Sequence, residues 1–202
     1  MPGMRISLSL ALLMFGMVFA TDGQAAANAP DPQILSKCES CHGLHGASTS
    51  ATVPRLNGQQ ANYIKLRLKQ FLNPARSTPH ATYQMWETAS NLGDRTADQL
   101  AQYFAAQAPT AAAPKGALAA SGEKIYRQGI GSAVPACQSC HGDSGEGRGA
   151  APRLAGQHGE YLEQQMGAFM LQLRVSPDMN RHAWHMEPDQ FKALAAYLSG
   201  PQ

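Results

Sequence analysis

Cysteine is scarce in this sequence: four residues in 202, at positions 38, 41, 137 and 140. They form two close pairs, so no thiol is left over for another disulfide or a lone nucleophile. Beyond residue 20 no apolar run approaches the roughly 20 residues that cross a bilayer. Blocks of like charge are missing as well. The formal net charge is +2, and nothing in its distribution points to nucleic acid. No stretch alternates polar and apolar residues with the two-residue period of a strand, so the expected fold is all-α.

What is present starts with the cysteines. Cys38-Glu39-Ser40-Cys41-His42-Gly43 returns as Cys137-Gln138-Ser139-Cys140-His141-Gly142. C-x-x-C-H is the attachment pattern of c-type haem, with two thiols to bond the porphyrin and an adjoining imidazole to bind the iron. A zinc ribbon is the competing reading, but its pairs stand about 15–20 residues apart, whereas these are 99 apart. Disulfides or redox dithiols leave the repeated His-Gly unexplained. The expectation is two covalent c-type haems, one on Cys38 and Cys41 and one on Cys137 and Cys140, with His42 and His141 as iron ligands.

The N-terminus has the layout of a secretory signal peptide over residues 1–27. Arg5 precedes an apolar run from Ile6 to Ala20, followed by polar residues and Ala25-Ala26-Ala27. An uncleaved anchor is the alternative. The expected product is a soluble exported protein of about 175 residues.

That product is a tandem repeat. Residues 31–107 form one unit and 118–202 the other, joined by an Ala- and Pro-rich linker at 108–117. Pro54-Arg55-Leu56-Asn57-Gly58-Gln59 recurs as Pro152-Arg153-Leu154-Ala155-Gly156-Gln157, and Tyr63, Phe71 and Arg76 recur as Tyr161, Phe169 and Arg174. Ile64, Leu68, Phe71 and Leu72 have helical spacing, matched by Leu162, Met166, Phe169 and Met170. Each unit closes with a helix, carrying Leu100, Tyr103 and Phe104 in the first and Phe191, Leu194 and Leu198 in the second. Another helix over 122–127 precedes the second motif, and a short one over 31–37 precedes the first. Such a linker does not fix the units' orientation, so polar contacts between the halves have to. Units of about 80 residues have little core of their own, and haem supplies the remainder.

The ligand opposite histidine decides the chemistry, since a thioether closes the iron and raises its potential. Met85 and Met179 each lie 18 residues before the closing-helix tyrosines Tyr103 and Tyr197, which selects them. His80, His182, His185 and Met186 compete, with Met186 better suited to packing at a helix start. His45 and His158 read as surface or neighbouring groups. Pro54 and Pro152, 12 and 11 residues after the motif histidines, present carbonyls that can orient the imidazoles. Arg55, Arg153, Tyr63 and Tyr161 are candidates for the haem pocket, pairing with propionates.

These motifs, in order and twice over, resemble class I cytochromes c, most closely the two-haem cytochrome c4 type, across nearly the whole mature chain. The resemblance implies tandem class I domains meeting across a pseudo-twofold interface, with His/Met ligation. It implies a monomeric periplasmic electron carrier, not an enzyme, working between respiratory or dehydrogenase donors and a terminal oxidase or similar acceptor, with at most a loose hold on a membrane surface. A cytochrome subunit of a dehydrogenase is the first alternative, and a two-haem peroxidase is more remote.

Overall fold

A computed structural model describes residues 29–73 and 77–201. Residues 1–27, read above as a signal peptide, and Arg76 lie outside the described residues. Nine α-helices follow in order among them: α1 Pro32–His42, α2 Ala61–Phe71, α3 Pro79–Ser90, α4 Asp94–Ala105, α5 Gly116–Gln128, α6 Gln138–His141, α7 Gly159–Met170, α8 Pro177–Trp184 and α9 Pro188–Leu198. A short 3-10 helix over Leu44–Gly46 and isolated β-bridges accompany them among the described residues. No helix there is long and apolar enough to cross a membrane.

Local chemistry sets the helix starts. Asp31 accepts from the Gln33 N–H at 2.7 Å with Pro32 in the first turn, and Thr78 accepts from the Ala81 N–H with Pro79 next to it. At α9, Glu187 and Gln190 close a reciprocal capping box ahead of Pro188. Two helices exceed the sequence expectation. α1 runs through the first haem motif to His42, and α5 spans 13 residues instead of six. The stripe on α2 is shorter than expected. Leu72 falls just past the helix end and is 46% exposed.

Two apolar cores result. Ile64, Leu100, Ala101 and Phe104 form the first, with Ile34, Leu35, Leu56 and Leu68 against them. The second is larger, built on Tyr126, Val134, Leu162, Phe169, Met186, Phe191, Leu194 and Leu198. There α5 crosses α9 closely enough that a side-chain carbon at Gly122 would strike the Ala193 carbonyl.

The halves meet through a reciprocal set of polar contacts. Gln157 accepts from the Arg55 N–H at 2.9 Å and donates to the Arg55 carbonyl at 3.1 Å. Gln59 does the same to Arg153, at 2.7 and 2.9 Å. Gln60 donates to the Glu146 carbonyl at 2.9 Å, and at the equivalent place His158 donates to the Ser48 carbonyl at 3.0 Å. Each of these contacts is repeated by the other half, as at a twofold interface. The linker is bound into this junction rather than loose: Asn57 donates to the Ala108 carbonyl, and the Ala113 N–H donates to the Ser199 carbonyl.

Gln157→Ala would strand the buried Arg55 amide and carbonyl, at about 1–3 kcal/mol for each group left unpaired. Partial separation of the halves in small-angle scattering is the expected result.

Candidate haem sites

Both motif histidines are 8% exposed, and each sits at the end of a helix. The following glycine reverses the chain: Gly43 and Gly142 have φ of +77° and +86°, where a side chain is strained. His42 Nδ1 is 2.8 Å from the Pro54 carbonyl oxygen, and His141 Nδ1 is 3.0 Å from that of Pro152. A carbonyl only accepts, so Nδ1 carries the hydrogen in both rings. Nε2 is left with its lone pair, the form that binds a metal.

The cysteines repeat this symmetry. Cys38 and Cys137 are half-buried, Cys41 and Cys140 are exposed, and none forms a disulfide. Burial pushes the Cys137 thiol up to about 11 and the Cys38 thiol up as well. A redox dithiol needs a depressed value at its nucleophile, so this environment is the reverse of what that reading requires. Among the described residues no three His, Cys, Asp or Glu side chains converge on a metal position, which leaves the zinc reading without a ligand set. The donors present fit a c-type haem in each half.

Met85 lies half-buried on α3 and Met179 half-buried on α8, the latter against the second core. Each stands five residues before the end of its helix, and each helix is followed by a three-residue turn into the closing helix. The longer α3 has its extra turn at the N-terminal end. Met186 is 7% exposed and belongs to the second core. His80 and His185 are exposed, and His182 is half-buried.

The cytochrome c family model matches residues 119–200. Cytochrome c4 of Azotobacter vinelandii is 31% identical over 96% of this chain and 97% of its own length. The chain belongs to the cytochrome c4 family. Cytochrome c-552 of Acidithiobacillus ferridurans is 39% identical over 95% of this chain and 84% of its own. The solved structure of Acidithiobacillus ferrooxidans cytochrome c4 superposes with a TM-score of 0.76 at 39% identity, covering 81% of this chain and 98% of that one. As a cytochrome c4 homologue the chain has two class I cytochrome c domains and two covalent c-type haems. It transfers electrons to and from redox partners and is not an enzyme.

The remaining pocket candidates gather at the domain junction. The Arg55 guanidinium donates to the carbonyls of Ser48, Gly156 and Pro201, and that of Arg153 to Ala155 and Thr110. Tyr63 accepts from Arg174 across the junction at 2.7 Å, and Tyr161 bonds the same arginine. Burial works to raise the Tyr63 hydroxyl, but Arg174 and Arg67 bring it below its ordinary value, whereas burial raises that of Tyr161. Arg67 and Arg174 stack over Phe71 and Phe169 at 4.8 and 4.5 Å.

Sequence reasoning missed Gln59, Gln157 and Gln60 as junction residues. The first two end the repeated P-R-L-x-G-Q segment, and that recurrence was the available signal. It also misplaced His158, which is 2% exposed and sits inside the interface. Burial and the neighbouring Arg55 lower its pKa below the ordinary 6.5, while the Ser48 carbonyl opposes that shift. A histidine held neutral when folded contributes stability that is complete above about pH 6.5 and is lost as pH falls below it, because the unfolded chain then takes the proton first. The junction should therefore weaken in mild acid. His158→Gln, which installs the residue found at position 60, should flatten that dependence in thermal melts between about pH 5 and 7.5.

Proposed function

We propose that this chain is a periplasmic, monomeric two-haem carrier that takes electrons from a respiratory or dehydrogenase donor and passes them to a terminal oxidase or similar acceptor. The observation that carries the reading is the doubled site: C-x-x-C-H, with its histidine Nδ1 tied to a proline carbonyl, at 2.8 Å in one half and 3.0 Å in the other. In it, Cys38 and Cys41 hold the first haem and Cys137 and Cys140 the second. The group supplies a reversible one-electron couple when bound.

The chain's own residues do the rest. His42 and His141 present Nε2 to the metal, fixed in tautomer and angle by Pro54 and Pro152. Met85 and Met179 would supply the remaining iron ligands, a reading supported by their equal distance from the helix ends and from the closing tyrosines. Tyr63, Tyr161, Arg55 and Arg153 form polar walls of the haem pockets toward the junction. The reciprocal glutamine contacts hold the two sites at a fixed separation, so an electron entering one half can leave from the other.

Potentiometric titration of the periplasmically matured protein should give two one-electron steps. Electron transfer within one molecule should outpace exchange between separately produced halves; equal rates would mean that the halves are merely tethered. Purification as a free monomer is expected. Constant co-purification with a catalytic subunit would reassign it as a dehydrogenase's own cytochrome.

A further inference from the structure

The two haem motifs are not alike in what surrounds them. Glu39 lies inside the first attachment motif on α1, between Cys38 and Cys41, and its carboxylate accepts from the His45 N–H at 2.8 Å. Tyr103 of the closing helix α4 donates to the same carboxylate oxygen at 3.2 Å. The His45 Nδ1 lies 2.6 Å from the Tyr103 hydroxyl and 3.8 Å from the Glu39 carboxylate. His45 itself is held at φ 56° and ψ 18°, a left-handed conformation that a non-glycine residue adopts at a cost.

The second half builds its turn without these groups. Gln138 and Ser144 stand where Glu39 and His45 stand, and the turn is secured by Glu146, which accepts from the Asp143 and Ser144 N–H groups at 3.2 and 2.8 Å. The equivalent tyrosine, Tyr197, turns to Arg127 and to the ring of Tyr126. Holding the turn therefore does not require a strained histidine.

The proton positions follow from the bonds. The Tyr103 hydroxyl has one hydrogen; with that hydrogen given to Glu39, its lone pair faces His45 and Nδ1 carries a hydrogen. The exchangeable proton is then the one on Nε2, on a side chain that is 58% exposed. The titratable groups facing the ring are Glu39 from α1, 3.8 Å from Nδ1, and Tyr103 from α4.

We propose that His45 takes up a proton when the first haem takes up an electron, so that the first site, unlike the second, is proton-coupled. The inference rests on the electron-carrier reading, since it needs a haem on Cys38 and Cys41. Glu39 belongs to the attachment motif on α1, and His45 is three residues beyond His42. Positive charge lost at the iron on reduction therefore favours positive charge at His45. One electron arrives from the donor protein and one proton from water at Nε2; both leave on oxidation.

The test is a potentiometric titration of the holoprotein between about pH 5 and 8, the range in which histidine titrates, with the haems distinguished by their methyl NMR signals. The first haem's potential should fall as pH rises while the second stays level. The His45 pKa, followed by NMR, should be lower in the oxidised than in the reduced protein. His45→Asn, which tolerates the left-handed backbone, should remove the slope. An equal His45 pKa in the two states, or a slope that survives His45→Asn, overturns the proposal. Absence of the first haem would overturn the electron-carrier reading, and this inference with it.

Discussion

Met179→Ala is expected to strip one iron of its thioether and leave the other untouched. Half of the long-wavelength charge-transfer absorption of the ferric protein should disappear. That haem's potential should fall, and it should acquire a carbon monoxide site that the parent lacks. Met85→Ala should do the same at the other haem. The control lies seven residues beyond Met179. Met186 is buried in the second core, so Met186→Ala should keep both irons closed and lower stability by about 2–5 kcal/mol through the cavity it leaves. Loss of the absorption in Met186→Ala, with retention in Met179→Ala, would reverse the assignment. Ready carbon monoxide binding by the parent would instead favour the peroxidase reading.

A larger structural effect is expected from removing an attachment point altogether. Cys137→Ala combined with Cys140→Ala should leave a protein with one haem, carried by the first half. A unit of roughly 80 residues cannot bury enough apolar surface without its cofactor. Leu162, Phe169, Met186 and Phe191 should then lose their fixed packing. Calorimetry should show the second half's cooperative transition gone, with the first half's retained at a lower temperature. That lower temperature follows from the junction, where Gln157 and His158 no longer hold Arg55 and Ser48 from a folded partner.

The parts of this molecule that could be read from the sequence are those set by covalent spacing or helical period. Cys38 through His42 announce their chemistry by adjacency alone. The closing helices follow from Leu100, Phe104, Leu194 and Leu198, and the turn carbonyls of Pro54 and Pro152 from their distance to the histidines. What escaped is long-range and polar. A glutamine amide that clasps a backbone 102 residues away leaves no periodic trace. Neither does the approach of Tyr103 to Glu39, 64 residues apart. His158 was misplaced because a lone histidine has no pattern, and its burial depends wholly on a second domain. The length of α1 was underestimated since its apolar positions, Ile34, Leu35 and Cys38, are few. Leu72 shows the opposite error, a helical stripe extended one residue beyond the point where the helix stops.

The central claim is that both motifs carry covalent haem. Intact mass measurement of the periplasmically matured protein, after extraction with acidic organic solvent, tests it most directly. Two haem masses added to the mature polypeptide is the result expected from Cys38, Cys41, Cys137 and Cys140. A polypeptide carrying one haem mass, or none, would contradict the account.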